Sequence, residues 1–327
     1  MLAQDVIGDL QRMVGPANVL TAKEDLICYS FDGTAALQQM PGCVVFVSTT
    51  EEVAQILKFA NAAKLPVVTR GSGTGLSGGC LPSPDCIVLC TVKMAKILEL
   101  DRANLTMTVE PGVTTLQVAD AAAAAGLFYP PDPGSMKIST IGGNVAENSG
   151  GLRGLKYGIT RNYIMGLEVV LLNGEIMWTG NKCVKDVAGY SLKDIFIGSE
   201  GTLGVITRVL LKLIPKPAAK KTMVATFSQM DHAADAVSIP VDEDVRIGDL
   251  DAAASKQLRP GFADVFLNGF ESLAADGDQP LLVALADAAN AAHLEINITE
   301  LEPDHFGNAQ AGGIEHVEKG AVAHPQR

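Results

Sequence analysis

Three features are missing from this sequence of 327 residues. No uninterrupted apolar run approaches the ~20 residues of a bilayer-crossing helix, so we expect no transmembrane segment. The opening residues, MLAQDVIGDLQ, are acidic and amphipathic, unlike a secretory leader with its basic and apolar regions. Positive charge is scarce, and the formal net charge of −12 argues against nucleic acid or an anionic membrane surface as the main partner.

A cysteine framework is also missing, because the six cysteines include no CxxC pair. They are Cys28, Cys43, Cys80, Cys86, Cys90 and Cys183. In a chain of this length the spacing predicts reduced thiols and neither a disulfide scaffold nor a zinc site. We therefore expect no metal site and a cytoplasmic protein, peripheral to the inner membrane only through a partner.

The composition that is present, 47% hydrophobic and 19% charged residues, is typical of a globular fold. Short β-branched runs alternate with helical patterns, and Asn173-Gly174 is a strong hairpin signal. Predicted strands cover residues 43–48, 67–69, 87–89, 97–100, 106–110, 167–172, 175–178, 205–214 and 224–227. Predicted helices cover residues 1–15, a segment after Thr49, 116–125, a short segment ending at Phe196, 233–237 and 281–292. The Pro-Lys-Pro run at 215–217 marks a domain boundary.

The most unusual stretch is residues 129–151, YPPDPGSMKISTIGGNVAENSGG, which we interpret as a functional loop. Its prolines favour a rigid, non-helical entry, and its glycines let the backbone approach a flat or anionic ligand closely. Residues of the same kinds also dominate ordinary turns. The functional interpretation gains weight because similar loops occur at 70–79 and 198–204.

Residues 73–78 match GxGxxG and follow a predicted strand, yet a Rossmann site is not expected. That site needs a helix after the glycines, and Pro82 and Pro84 leave no room for one. The same prolines exclude a GxSxG nucleophile elbow at 75–79, and no lysine follows to make a Walker loop. Two interpretations stay open from the residues alone: an anion-binding nest assisted by Arg70, or a wide turn with a structural arginine.

Four segments in order resemble one family: RGSGTGLSGG (70–79), PPDPGS with STIGGNVAENSGG (130–151), LKYGITRN (155–162) and GSEGTLGVITRVLLKLIPKP (198–217). They are similar to FAD-linked oxidases of the vanillyl-alcohol-oxidase type, which have a PCMH-type FAD-binding domain. Within that family they are similar to the glycolate oxidase D subunit and to D-lactate and D-2-hydroxyglutarate dehydrogenases. The resemblance covers about residues 20–220.

The resemblance implies an α+β fold in three parts. The first is an FAD-binding domain at 1–217, made of two α+β subdomains at about 1–105 and 106–217. A shortened ferredoxin-like cap is expected at 218–300, and a polar tail at 301–327.

The resemblance also implies which residues surround FAD. Arg70, Gly71, Ser72, Gly73, Thr74, Gly75, Leu76 and Ser77 would wrap the pyrophosphate. Pro131, Asp132, Ser135, Thr140, Gly142, Gly143, Asn144, Asn148, Gly150 and Gly151 would surround the flavin and its ribityl chain. Gly158, Glu200, Gly204, Val205 and Ile206 would close over the adenosine or the isoalloxazine. Since neither glycine loop contains a histidine, we expect the FAD to be held without a covalent link.

The activity implied is oxidation of a small 2-hydroxy acid, with hydride transfer from substrate C2 to flavin N5. No catalytic residue is identified: His305 and His316 are faint matches to family histidines, and Arg246 and Arg259 lack a recognisable context. An alternative is an FAD-binding subunit or truncated paralogue without independent activity, acting beside an iron–sulfur or other electron-accepting subunit. A structural protein without a cofactor is the third hypothesis.

Overall fold

The computed structural model describes residues 2–34, 36–218, 220–227 and 292–299. The helices are α1 (Gln4–Val14), α2 (Lys23–Leu26), α3 (Thr50–Ala63), α4 (Thr115–Ala124), α5 (Ile141–Glu147), α6 (Gly154–Tyr157) and α7 (Lys193–Phe196). The strands are β1 (Val19–Leu20), β2 (Cys43–Phe46), β3 (Val67–Arg70), β4 (Ile87–Cys90), β5 (Ile97–Asp101), β6 (Thr106–Val109), β7 (Leu127–Phe128), β8 (Ile164–Val170), β9 (Ile176–Gly180), β10 (Val205–Lys212), β11 (Ile214–Pro215), β12 (Lys220–Phe227) and β13 (Ala292–Thr299). The described residues up to Lys216 belong to one compact unit, and β12 and β13 belong to another.

The first sheet has the strand order β1-β2-β4-β3, in which β2, β4 and β3 are parallel and β1 is antiparallel. Helix α3 connects β2 to β3, and the apolar faces of α1 and α3 share one core with this sheet. Thr49 caps α3 by accepting a hydrogen bond from the backbone nitrogen of Glu52 at 3.2 Å, as the capping pattern predicts. The glycine loop at 71–79 therefore begins at the C-terminal end of β3.

The second sheet is antiparallel, with the strand order β5-β6-β10-β8-β9. Helices α4 and α5 contribute to its core, together with the fully buried Tyr129. The predicted subdomain boundary near residue 105 falls in the turn between β5 and β6, and both of these strands lie in this sheet. Together the sheets and helices confirm a mixed α+β fold.

Most predicted elements of the first unit are confirmed to within a few residues. The Asn173-Gly174 turn joins β8 and β9, and α4 begins with a capping box formed by Thr114 and Gln117. The predicted strand 205–214 is instead two strands, because the chain beyond Leu213 pairs with β7 and leaves the main sheet.

The interpretation of residues 129–151 as a loop throughout is wrong, since α5 occupies its centre. Two glycines lie inside this helix, where their low helix propensity argues against the observed structure. A Cβ at Gly142 would lie 2.6 Å from the Cβ of Pro111, so only glycine fits where the helix packs closely on the chain before α4. Asn148 then ends the helix in the left-handed conformation, with φ of 52°.

In the second unit, β12 and β13 form an antiparallel pair. Strand β12 confirms the predicted strand at 224–227, whereas the start of β13 replaces the last residue of the predicted helix 281–292. The rest of that helix, the helix at 233–237, and Arg246, Arg259, His305 and His316 lie outside the described residues. The cap at 218–300 and the tail at 301–327 stay predictions, as do the domain boundaries.

Candidate cofactor-binding site

A cavity of about 450 Å³ lies among the three glycine-rich loops. The first loop is at 71–79, the second is the segment 129–151 that contains α5, and the third is at 198–204. It is lined by Thr69, Gly71, Ser72, Gly73, Thr74, Gly75, Leu76, Gly79, Cys80, Thr91, Pro111, Pro133, Gly134, Ser135, Ser139, Thr140, Gly142, Gly143, Asn144, Ala146, Glu147, Ser149, Gly150, Glu200, Gly201, Gly204 and Ile206. None of these described lining residues is a lysine, arginine or histidine. An anion in this cavity would therefore depend on backbone N–H groups and hydroxyls.

The first glycine loop is fixed by hydrogen bonds to the segment before β2. The backbone nitrogen of Gly33 donates to the carbonyl of Gly75 at 2.8 Å, and that of Gly78 donates to Asp32 Oδ2 at 3.0 Å. The Asp32 side chain is buried and also accepts from the backbone of Thr34. The loop is thus held in shape by protein contacts alone, which is the preorganisation that a binding loop requires.

Arg70, expected to wrap the pyrophosphate, is not among the residues that line the cavity. Successive strand residues point to opposite faces, and Thr69 takes the position that faces the cavity. The buried Arg70 side chain donates instead to the carbonyl of Phe31 at 2.8 Å and lies 5.6 Å from the ring of Tyr29. A side chain at Gly73, where φ is +74°, would collide with this guanidinium. These contacts favour the interpretation of Arg70 as a structural arginine.

Helix α5 brings an unpartnered hydroxyl to the cavity. Thr140, which precedes the helix, is only 4% exposed, and its Oγ1 has no hydrogen-bond partner among the described residues. A Cβ on Gly71 would collide with this same oxygen, so the first loop packs against Thr140 too closely for any residue but glycine at position 71. Since a buried hydroxyl without a partner costs free energy, this atom indicates a site for a ligand that accepts a hydrogen bond.

The third loop is attached to the C-terminal end of α5. The backbone nitrogens of Gly198 and Glu200 donate to the carbonyls of Val145 and Ala146 at 3.0 and 2.9 Å. Arg161 supports the same loop by donating to the carbonyl of Ile197 at 2.7 Å. The helix therefore fixes the relative positions of the second and third loops.

Comparisons with known proteins agree with this geometry. A family model described as an FAD binding domain matches residues 41–180. Glycolate oxidase subunit GlcD of Bacillus subtilis is 52% identical over 238 residues, which are 73% of this chain and 51% of that protein. D-lactate dehydrogenase of Archaeoglobus fulgidus is 45% identical over 213 residues, 64% of this chain and 48% of that protein. Residues 41–180 therefore form an FAD-binding domain of this family. The chain spans about half the length of these relatives.

The family fold is also seen in solved structures. Alkyldihydroxyacetonephosphate synthase superposes with a TM-score of 0.65 at 23% identity, covering 72% of this chain and 45% of that one. p-Cresol methylhydroxylase superposes with a TM-score of 0.62 at 24% identity, covering 72% of this chain and 49% of that one. At this level of identity the likeness establishes the fold of the FAD-binding domain.

Two observations of the chain itself indicate that FAD fits the cavity. The Thr140 hydroxyl has no partner among the described residues, and glycines such as Gly71 and Gly142 lie in the wall where a Cβ would collide with neighbouring atoms. Most of the residues expected to contact FAD lie in the wall. They are Gly71, Ser72, Gly73, Thr74, Gly75, Leu76, Ser135, Thr140, Gly142, Gly143, Asn144, Gly150, Glu200, Gly204 and Ile206. Asn144 is also tied to the core, because its Nδ2 donates to Thr115 Oγ1 at 2.6 Å.

The remaining expected residues lie outside the wall. They are Arg70, Ser77, Pro131, Asp132, Asn148, Gly151, Gly158 and Val205. Several support the loops: Asp132 forms an ion pair with Arg153 at 3.3 Å, and Asn148 Oδ1 accepts from the backbone nitrogen of Arg161 at 3.0 Å. A side chain at Gly151 would collide with Asp132.

Sequence reasoning missed Glu147, which lines the cavity from the last turn of α5. It also missed Thr69 in β3, Thr91 directly after β4, and Pro111 in the chain before α4. The alternation of strand residues could have indicated Thr69, because it precedes Arg70. Glu147 carried no such signal, since the helix itself was not predicted.

Proposed function

We propose that this chain is the FAD-binding part of an FAD-dependent oxidoreductase that oxidises a small D-2-hydroxy acid such as glycolate or D-lactate. The observation that carries the proposal is the cavity whose wall includes Gly71 and Thr140, in a chain with an FAD-binding domain. The substrate class comes from the relatives named glycolate oxidase subunit and D-lactate dehydrogenase. When bound, FAD supplies the acceptor of a hydride from substrate C2 at flavin N5.

The chain's own part in this function is to bind and orient the cofactor. The backbone N–H groups of residues 71–75 and the Thr140 hydroxyl would donate to the diphosphate. Ser135, Gly143 and Asn144 would lie against the flavin half, and Gly204 and Ile206 against the other end. Because protein hydrogen bonds already fix all three loops, binding would cost little loop ordering.

The cofactor would be held without a covalent link. Cys80 is the one cysteine in the described wall of the cavity. Burial raises the pKa of its thiol, and the nearby Arg70 opposes this effect without reversing it. A thiol that stays protonated is a poor nucleophile, which supports a non-covalent complex.

A second candidate function is an FAD-binding subunit that has no independent activity and works beside an iron–sulfur or other electron-accepting subunit. One observation favours it: the relative from Bacillus subtilis is named as a subunit. Within the described residues, no helix is long and apolar enough to cross a membrane. The two candidates share the cofactor and differ in whether this chain alone turns over substrate.

One experiment tests the cofactor and separates the two functions. The purified protein should be yellow and should release intact FAD on heat or acid denaturation. It should then be mixed anaerobically with D-lactate, glycolate or D-2-hydroxyglutarate while flavin absorbance is followed. Bleaching within seconds would establish independent oxidation, whereas a flavin that photoreduces normally but ignores substrate favours the subunit. A colourless protein that takes up no added FAD would refute both.

A further inference from the structure

Two carboxylates converge on one point of the cavity wall. A Cβ built on Gly79 would lie 2.8 Å from Glu200 Oε2 and 2.9 Å from Glu147 Oε1. Glu147 is half-buried and accepts a hydrogen bond from Ser77 Oγ at both oxygens, at 3.0 and 2.8 Å, and Glu200 lies exposed at the edge. Glu147 is the last residue of α5, and Glu200 belongs to the third loop, which backbone hydrogen bonds attach to that helix.

The cavity is therefore chemically divided. Around Gly71 and the unpartnered Thr140 hydroxyl, the wall offers backbone N–H and hydroxyl donors and suits an anion. Around Gly79 it offers carboxylates, which accept hydrogen bonds and repel negative charge. No cationic side chain in the described wall offsets them. A dinucleotide would place its diphosphate at the first end and a group rich in hydroxyl donors at the second.

We infer that Glu147 and Glu200 form a receptor for vicinal hydroxyl groups of the bound dinucleotide, an assignment that rests on the proposed FAD binding. A carboxylate oxygen retains acceptor capacity beyond one Ser77 hydrogen bond, so Glu147 holds the loop and still binds the ligand. FAD contains two such groups, the ribose of its adenosine and the ribityl chain of its flavin. The receptor makes the site selective for a ligand with hydroxyls beside its diphosphate.

The test uses the full chain freed of flavin and pairs of ligands that differ by one hydroxyl. ADP and 2′-deoxy-ADP probe the ribose, and FMN and 2′-deoxy-FMN probe the ribityl chain, each in competition with FAD. One of the two pairs should show a preference of about tenfold or more for the hydroxylated ligand, as expected of a hydrogen bond to a charged group. In Glu147→Gln and Glu200→Gln that preference should fall several-fold. Glu175→Gln, which changes an exposed carboxylate in the β8–β9 turn, is the matched control.

The ratios distinguish recognition from loop disruption. If Glu147→Gln only loosened the first loop, both members of a pair would weaken equally and their ratio would not change. Equal binding of both members of both pairs to the wild-type protein, or ratios unchanged in both glutamate variants, would overturn the assignment while FAD binding stays intact. FAD binding that requires Mg²⁺ and is lost with EDTA would also overturn it, because the carboxylates would then hold a cation. Absence of any FAD binding would overturn the proposed function as well.

Discussion

Replacing Thr140 with valine should move two measurable quantities in opposite directions. The substitution exchanges the buried, unpartnered hydroxyl for a methyl group of similar size. Without flavin, removal of this hydroxyl should raise the free energy of unfolding by about 1 kcal/mol, the lower end of the cost of a buried unsatisfied group. With FAD, the variant loses a hydrogen bond to a charged ligand, and affinity should fall roughly tenfold to hundredfold.

The controls separate a contact with FAD from a general effect of burying an apolar group. Thr140→Ser keeps the hydroxyl and should retain FAD affinity. Thr106→Val is matched more closely, because Thr106 is 1% exposed, its Oγ1 also lacks a partner, and it lies in β6 outside the cavity wall. This variant should gain the same stability and bind FAD normally.

Two measurements check this reasoning: urea unfolding of the flavin-free proteins and titration with FAD followed by flavin fluorescence. Wild-type affinity in Thr140→Val would show that the hydroxyl does not contact the cofactor. Loss of stability in both valine variants would show that the two hydroxyls have partners after all.

Three further predictions follow from the described contacts. Gly73→Val should abolish FAD uptake in a titration, because valine resists a φ of +74° and would collide with Arg70. FAD binding by this variant would contradict the loop geometry. Arg70→Ala should lower the free energy of unfolding by about 1–3 kcal/mol in urea, since it removes the hydrogen bonds of a buried guanidinium to the carbonyls of Phe31 and Cys28. Weakened FAD binding at unchanged stability would instead favour the role of a phosphate ligand. Tyr129→Phe should leave the free energy of unfolding equal or higher, because the buried Tyr129 hydroxyl has no partner among the described residues. Tyr163→Phe should lower it by about 1 kcal/mol, because the Tyr163 hydroxyl donates to the carbonyl of Tyr157 at 2.7 Å. Equal losses in urea unfolding of the two variants would refute this distinction.

The sequence by itself determined the features that depend on neighbouring residues. Asn173-Gly174 specified a hairpin because Gly174 adopts a φ of +82° that few other residues tolerate. Thr49 specified the start of α3 because its side chain caps a nitrogen three residues away. Pro82 and Pro84 excluded a helix after the first glycine loop, and the described residues 71–86 contain none. The glycine positions also indicated where the backbone comes close to other atoms, since only glycine tolerates such contacts.

Tertiary structure decided which side chains face the cavity. Arg70 is the one basic residue in the segment 70–79. The face of β3 on which it lies nevertheless directs its side chain to the carbonyl of Phe31. Helix α5 forms despite two glycines because Gly142 lets it pack on Pro111, a contact that no local propensity predicts. Glu147 and Glu200 meet beside Gly79 only because backbone hydrogen bonds attach the third loop to the end of α5. Such contacts join residues far apart in the chain. Packing, and not local sequence, therefore decided which polar side chains line the cavity.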